Sequence, residues 1–378
     1  MTQRNALGLI LGGGGSRAAY QVGVLSGIAE RHPKLSPEIL NGVSAGAINA
    51  AAIANHTGNF KARVDNLVAL WSQLTVDQVF RTDASSLVWH LIKNALSATL
   101  FGGRGKDHGI HSMVDTAPLR AMLTRVLAPT DGTLTGIEHN LENTNLEAVS
   151  LAGMHYVSGH TVTWFQGHEP KEWNRKGRHG VNAKLGVEHV MASAALPGFF
   201  PAIKVDGAYY GDGGIRQHAP LAPAVHLGAQ RILAISTRFG NETAPFAPKT
   251  PEGYPQPAQI MGVLMNAVFL DVLDRDVARM RRLNELLQHT PPGERGDLRE
   301  IDIVSVRPSV DLGRLAGEFE PQLPSMFRFL TRRMGTKQVE NSDALSMVMF
   351  QPDYLQRLIA IGRADAEEHA TEIDDLLT

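Results

Sequence analysis

A three-layer α/β sandwich around a mainly parallel central sheet, followed by a mostly helical C-terminal region, is the fold class this 378-residue sequence predicts. Three observations carry it. Its first strand-like segments are apolar without alternation, as in strands covered on both faces. Each is followed at short pitch by a helical segment, and strand–helix–strand succession builds a parallel sheet. Beyond residue 258 the apolar residues recur at helical spacing.

The elements follow in order. Leu7-Gly8-Leu9-Ile10-Leu11 reads as a buried strand, and Tyr20, Val24, Leu25 and Ile28 place a helix over residues 17–30. Pro33 and Pro37 interrupt it before the strand Ile39-Leu40-Asn41-Gly42-Val43. The alanine-rich stretch from Ala45 to Asn55 suits a helix packed closely on a sheet. Residues 60–150 read as mostly helical, with a loop around Gly102-Gly103-Arg104-Gly105-Lys106-Asp107. A helix is expected after Asp115-Thr116-Ala117-Pro118, where proline near the start sacrifices no hydrogen bond. Residues 146–163 have strand-like composition, and residues 231–237 form another buried strand. Pro245, Pro248, Pro251, Pro255 and Pro257 then block regular structure. From Ile260 through Val263, Ala267, Leu270, Leu273, Val277 and Met280 to Leu287 runs one long amphipathic helix, expected to pack on the main domain. The division is an α/β domain over residues 7–240, a Pro-rich linker over 241–258 and a mostly helical extension over 259–378.

Composition narrows the chemistry. With 36 Lys+Arg against 38 Asp+Glu, the net charge of −2 offers nucleic acid no electrostatic attraction. No cysteine is present, which excludes a disulfide scaffold, a thiolate metal site and a cysteine nucleophile. No H-E-x-x-H or EF-hand pattern occurs, and His108 with His111 is too little for a metal site, so neither metal nor cofactor is expected. No stretch approaches the roughly 20 apolar residues of a membrane span, and the N-terminus lacks a convincing secretory signal. The expectation is a cytoplasmic protein able to touch a membrane from one side.

Two glycine loops, each directly after a buried strand, carry the functional signal. Gly42-Val43-Ser44-Ala45-Gly46 is a G-x-S-x-G sequence between an apolar strand and an alanine helix, the context of a nucleophile elbow. The alternative for Ser44 is an ordinary helix cap. Gly12-Gly13-Gly14-Gly15-Ser16-Arg17 supplies side-chain-free backbone able to approach an oxyanion. Parallel neighbouring strands bring both loops to one sheet edge. Gly13-x-Gly15-x-x-Ala18 also fits a dinucleotide fingerprint, but Glu38 begins the second strand instead of ending it. A serine nucleophile needs a base. Among fifteen histidines, His160, His189, His218 and His226 are candidates without a distinguishing context. The most distinctive acid is Asp212, in Tyr209-Tyr210-Gly211-Asp212-Gly213-Gly214, although Asp-Gly-Gly in isolation usually marks a turn.

These blocks, together with Ala192-Ser193-Ala194-Ala195-Leu196-Pro197, stand in the order found in patatin-like phospholipases, and residues 7–240 resemble that family. The resemblance implies a Ser–Asp dyad, with Ser44 as nucleophile and Asp212 as its base. It places the oxyanion hole at Gly13, Gly14 and Gly15. Arg17 stands where the family usually has a basic residue, and Ala18 where it often has glycine; Gly42, Gly46, Gly213 and Gly214 would support the loops. The implied activity is lipid acyl hydrolysis of phospholipids, lysophospholipids or other acyl esters at a membrane or micelle. Acyl transfer or thioester cleavage by the same dyad stays open, as does a dinucleotide-binding module. Leu196, Phe199 and Phe200 are placed either along the acyl path or in the core.

Overall fold

The computed structural model describes residues 5–81, 114–168, 171–240, 257–323, 328 and 343–378. The expected loop at residues 102–107, the His108/His111 pair and the prolines from 245 to 255 lie outside these residues.

The sheet runs β10-β9-β1-β2-β3-β4-β6-β5, and a β7–β8 hairpin joins it at β3. Strands β1 (Leu7–Leu11), β2 (Ile39–Val43), β3 (Ala148–His155), β9 (Arg231–Ile235) and β10 (Asp302–Val306) are mutually parallel. β4 (Thr161–Gly167) returns antiparallel from β3, so residues 146–163 hold one strand, a turn and the start of another. The edge hairpin is β5 (Trp173–Arg175) with β6 (Arg178–Asn182), and the inserted one is β7 (Ile203–Val205) with β8 (Ala208–Asp212).

Helices cover both faces. One carries α1 (Ala18–Arg31), α2 (Ala45–Asn55) and α3 (Phe60–Ser72), whose Tyr20, Leu25, Ala50 and Trp71 join Leu9, Leu11 and Leu40 in the main core. The short α4 (Val76–Val79) is followed by α5 (Ala117–Leu127), where Pro118 lies in the first turn as expected, and by α6 (Thr135–Asn143). α7 (Val187–Ser193) sits beside β3. The opposite face carries α8 (Ala222–His226) and a long helical run made of α9 (Pro257–Met265), a π turn (Asn266–Leu270) and α10 (Asp271–Gln288). Leu273 and Val277 of α10 pack with Ile10, Ile39 and Ile232. The predicted apolar stripe therefore packs from Phe269 onward, while Ile260 and Val263 at its start are exposed.

The C-terminal segment is more than helical. β10 extends the sheet beside β9; its β-branched Ile303, Val304 and Val306 favour a strand, which the expectation of a mostly helical extension did not include. α11 (Leu312–Phe319), α12 (Asp343–Val348), α13 (Pro352–Glu368) and α14 (Ala370–Leu377) follow. α13 crosses α1 in backbone contact: a Cβ on Gly23 would lie 2.2 Å from the Ile359 carbonyl oxygen, and one on Gly362 2.3 Å from that of Tyr20. No helix among the described residues is long and apolar enough to cross a membrane.

Candidate active site

Ser44 follows β2 directly and holds φ 56° and ψ −129°, a conformation that residues with a Cβ resist. The turn closes because its neighbours are small. A Cβ on Gly46 would fall 2.2 Å from the Leu11 carbonyl oxygen, and one on Gly42 2.5 Å from that of Gly46. Ser44 N–H donates to Ser193 Oγ at 3.1 Å, so the Ala192–Leu196 block of the sequence holds the elbow from outside. The helix-cap alternative does not apply, since the Ser44 side chain makes no cap hydrogen bond.

Asp212 reaches the same place by register. β2 pairs with β3 only as far as Val43↔Ala152, and β8 takes over the vacated edge of β3 at Asp212↔Gly153. The residue after Val43 and the last residue of β8 therefore meet. Ser44 and Asp212 line the same wall of the site, where the hydrogen-bonding influence of the Ser44 side chain favours the ionised form of the Asp212 carboxyl. Gly214 N–H donates to Asp212 Oδ1 at 2.8 Å, and Asp212 N–H to the Ala195 carbonyl at 2.8 Å. Asp212 is 1% exposed. Desolvation pushes its carboxyl up to about 7, against the opposing effect of hydrogen bonds from Ser44 and Gly214. Gly213 is required by crowding, as its Cβ would lie 2.2 Å from the Ala152 carbonyl oxygen.

The glycine loop lies alongside. A Cβ on Gly13 would stand 3.2 Å from Ser44 Cβ and 3.8 Å from Ser44 Oγ. Gly14 and Gly15 both take positive φ, 146° and 58°. Thr237 Oγ1 donates to the Gly13 carbonyl at 2.8 Å, and Gln21 Nε2 to that of Gly12 at 2.8 Å. Arg17 is buried and engaged within the protein: Nε donates to Ser346 Oγ at 2.6 Å, Nη1 to the Thr237 carbonyl at 3.3 Å, and Nη2 pairs with Asp343. The Ser16 hydroxyl donates to the Ser346 carbonyl, and the missing Cβ of Gly15 makes room for the Met347 carbonyl. The Asp343 carboxylate also accepts from Asn266 in the π turn. Three residues on, the Phe269 ring covers the site, 2.7 Å from where a Cβ on Gly214 would be.

A largely apolar cavity, part of it open to solvent, adjoins the pair. Ser44, Asp212, Gly14 and Gly15 form its polar wall, and Ile48, Trp71, Leu74 and Met122 are among its apolar lining. Leu196, Phe199 and Phe200 line it too, with Phe80 edge-on behind Phe199 at 5.4 Å. Asp343, Ser346, Met347 and Phe269 escaped the sequence reading. They lie in ordinary helical segments, and only their spatial return to the loop distinguishes them. The four histidine candidates stand elsewhere, with none in this cavity; His189 is held by Gly186 N–H and His160 by His179. Among the described residues no three His, Asp or Glu side chains cluster as metal ligands would.

Three solved structures are similar over most of this chain. The type III effector ExoU of Pseudomonas aeruginosa has 13% identity and a TM-score of 0.39, over 97% of this chain and 53% of its own. VipD from Legionella pneumophila has 13% and 0.38, over 93% and 67%. Human GIVD cytosolic phospholipase A2, in complex with methyl gamma-linolenyl fluorophosphonate, has 11% and 0.43, over 99% and 59%. The chain thus spans about half the length of the first. No curated protein matches it. A family model for patatin-like phospholipases matches residues 9–225, more than half of the sequence and a span that contains both Ser44 and Asp212. The chain therefore belongs to the patatin-like phospholipase family, a family of serine hydrolases.

Proposed function

We propose that this protein hydrolyses lipid acyl esters through a covalent Ser44 acyl-enzyme with Asp212 as general base. The observation that carries the reading is the convergence of the strained Ser44 and the buried Asp212 carboxyl in one site, beside a glycine loop and an apolar cavity. Ser44 Oγ attacks the ester carbonyl while its proton passes to Asp212. The tetrahedral oxyanion is held by backbone N–H groups of Gly13, Gly14 and Gly15. On collapse the carbon–oxygen bond to the alcohol breaks, and Asp212 returns the proton to the leaving oxygen. Water then attacks the acyl-enzyme, Asp212 takes its proton, and Ser44 recovers one as free fatty acid departs. A carboxyl raised toward neutrality suits this work, since a base is most effective when its affinity for protons approaches the working pH. The apolar lining accepts the acyl chain, which directs the reading to phospholipids, lysophospholipids or similar esters.

Ser44→Ala and Asp212→Asn, assayed on a soluble short-chain ester, test the proposal. Each folded variant is expected to lose at least ~100-fold in turnover. Near wild-type turnover in either would refute the dyad. A labelled acyl donor distinguishes hydrolysis, which releases free acid, from transfer to another acceptor.

A further inference from the structure

Three turns stand side by side on the rim of the sheet that carries Ser44 and Asp212. They join β3 to β4 (residues 156–160), β5 to β6 (176–177) and β7 to β8 (206–207). Pairing fixes their adjacency: Thr161 lies opposite Arg178, and His155 opposite Tyr210. β3 continues three residues beyond Ala152, the partner of Val43, before it turns. At about 3.3 Å per residue, the turn therefore projects roughly 10 Å past the level where β2 ends.

The rim combines exposed apolar tips with cations. Val157 is 89% exposed, and Tyr209 is 54% exposed beside Tyr156. Arg175 and Arg178 stand directly opposite each other across the edge hairpin with Lys176 between them. Like charges so placed repel. Neither forms an ion pair among the described residues, and Asp276, which Arg178 feels, is buried and committed to Leu221 N–H and Arg279. Asp206 is the one acid on the three turns. The surface is also continuous with the site. Arg216, four residues after Asp212, donates through Nε to the Gly159 carbonyl at 3.0 Å, and the Thr161 hydroxyl donates to the Arg216 carbonyl at 2.8 Å.

We propose that this rim docks on the surface of a bilayer containing anionic phospholipid, with Val157 entering the headgroup layer and Arg175, Lys176, Arg178 and Arg216 facing lipid phosphates. The inference rests on the lipid-hydrolase reading for its biological sense, and on the rim's own chemistry for its partner. Tyrosine belongs at the membrane–water boundary, and juxtamembrane Lys and Arg are drawn to anionic leaflets. Projecting, exposed tips suit a fluid surface, which deforms around them.

The test is vesicle sedimentation of the full chain. The vesicles are phosphatidylcholine alone and phosphatidylcholine with a quarter phosphatidylglycerol, and turnover of a soluble ester is measured in parallel. Wild type should bind the anionic vesicles at least ~10-fold more tightly than the neutral ones. Val157→Asp, and separately Arg175→Glu with Arg178→Glu, should each weaken anionic-vesicle binding at least ~10-fold, with soluble-ester turnover within about twofold of wild type. Absence of binding by wild type, equal binding to both vesicles, or unchanged binding by both variants would overturn the docking surface. A wild type inactive on the soluble ester would instead overturn the hydrolase reading, and the vesicle results would still decide the docking surface.

Discussion

Asp212 offers the sharpest perturbation, because protons alone can switch it. Its carboxyl is raised from 3.8 to about 7 by desolvation, with the Ser44 and Gly214 hydrogen bonds pulling the other way. A base must be ionised to work, so kcat/KM on a soluble ester should rise through neutrality to a plateau above pH 8. For a group near 7, about half is ionised at pH 7, about a tenth at pH 6 and about a hundredth at pH 5. An ordinary carboxylate would leave the rate flat over that whole interval. The same shift bears on stability. The folded state holds this proton more tightly than the unfolded chain, so Asp212's contribution is fully present below pH 3.8 and is lost as pH rises through about 7. The full loss amounts to about 4 kcal/mol at pH 8. Asp212→Asn keeps an acceptor without the charge, so it should be inactive yet stabilised by up to about 4 kcal/mol at pH 8 and by less than about 2 kcal/mol at pH 5. Urea unfolding at the two pH values measures this. A flat rate profile between pH 5 and 8, or an Asn variant less stable than wild type at pH 8, would refute the reasoning.

Three further outcomes are expected. Ser44→Gly relieves the strained φ and should raise unfolding free energy by roughly 1 kcal/mol while abolishing turnover, a pairing that denaturant melts and an ester assay can establish. Asp343→Asn leaves the Arg17 cation buried without its counter-charge. The expected cost is roughly 3 kcal/mol, at the low end for a buried pair because the Asp343 side chain is 22% exposed; kcat should fall more than KM, since the glycine loop and not the acyl cavity is disturbed. Met122→Trp fills part of the apolar cavity. Steady-state kinetics over an ester series should show short acyl chains cleaved as before and long ones losing about fourfold in kcat/KM per excluded methylene.

Local physics made much of this molecule legible. The unalternating strands β1, β2 and β9, the glycine-flanked Ser44 and the tight Asp212 turn are each short-range consequences of composition, because burial on both faces and a cramped turn restrict which residues fit. Other features depend on chain-distant contacts. Nothing near Asp302–Val306 marks it as an edge strand of the main sheet; its partner β9 does. Likewise Asp343 and Met347 look like ordinary helix residues until the chain returns them to Arg17 and Gly15. The meeting of Ser44 with Asp212 has the same origin. The sequence by itself determined a hydroxyl on a strained turn and a carboxylate in a glycine cluster. Only the tertiary structure decided that β8 takes over the edge of β3 one residue beyond the end of β2, because register is a property of paired strands and no single strand contains it.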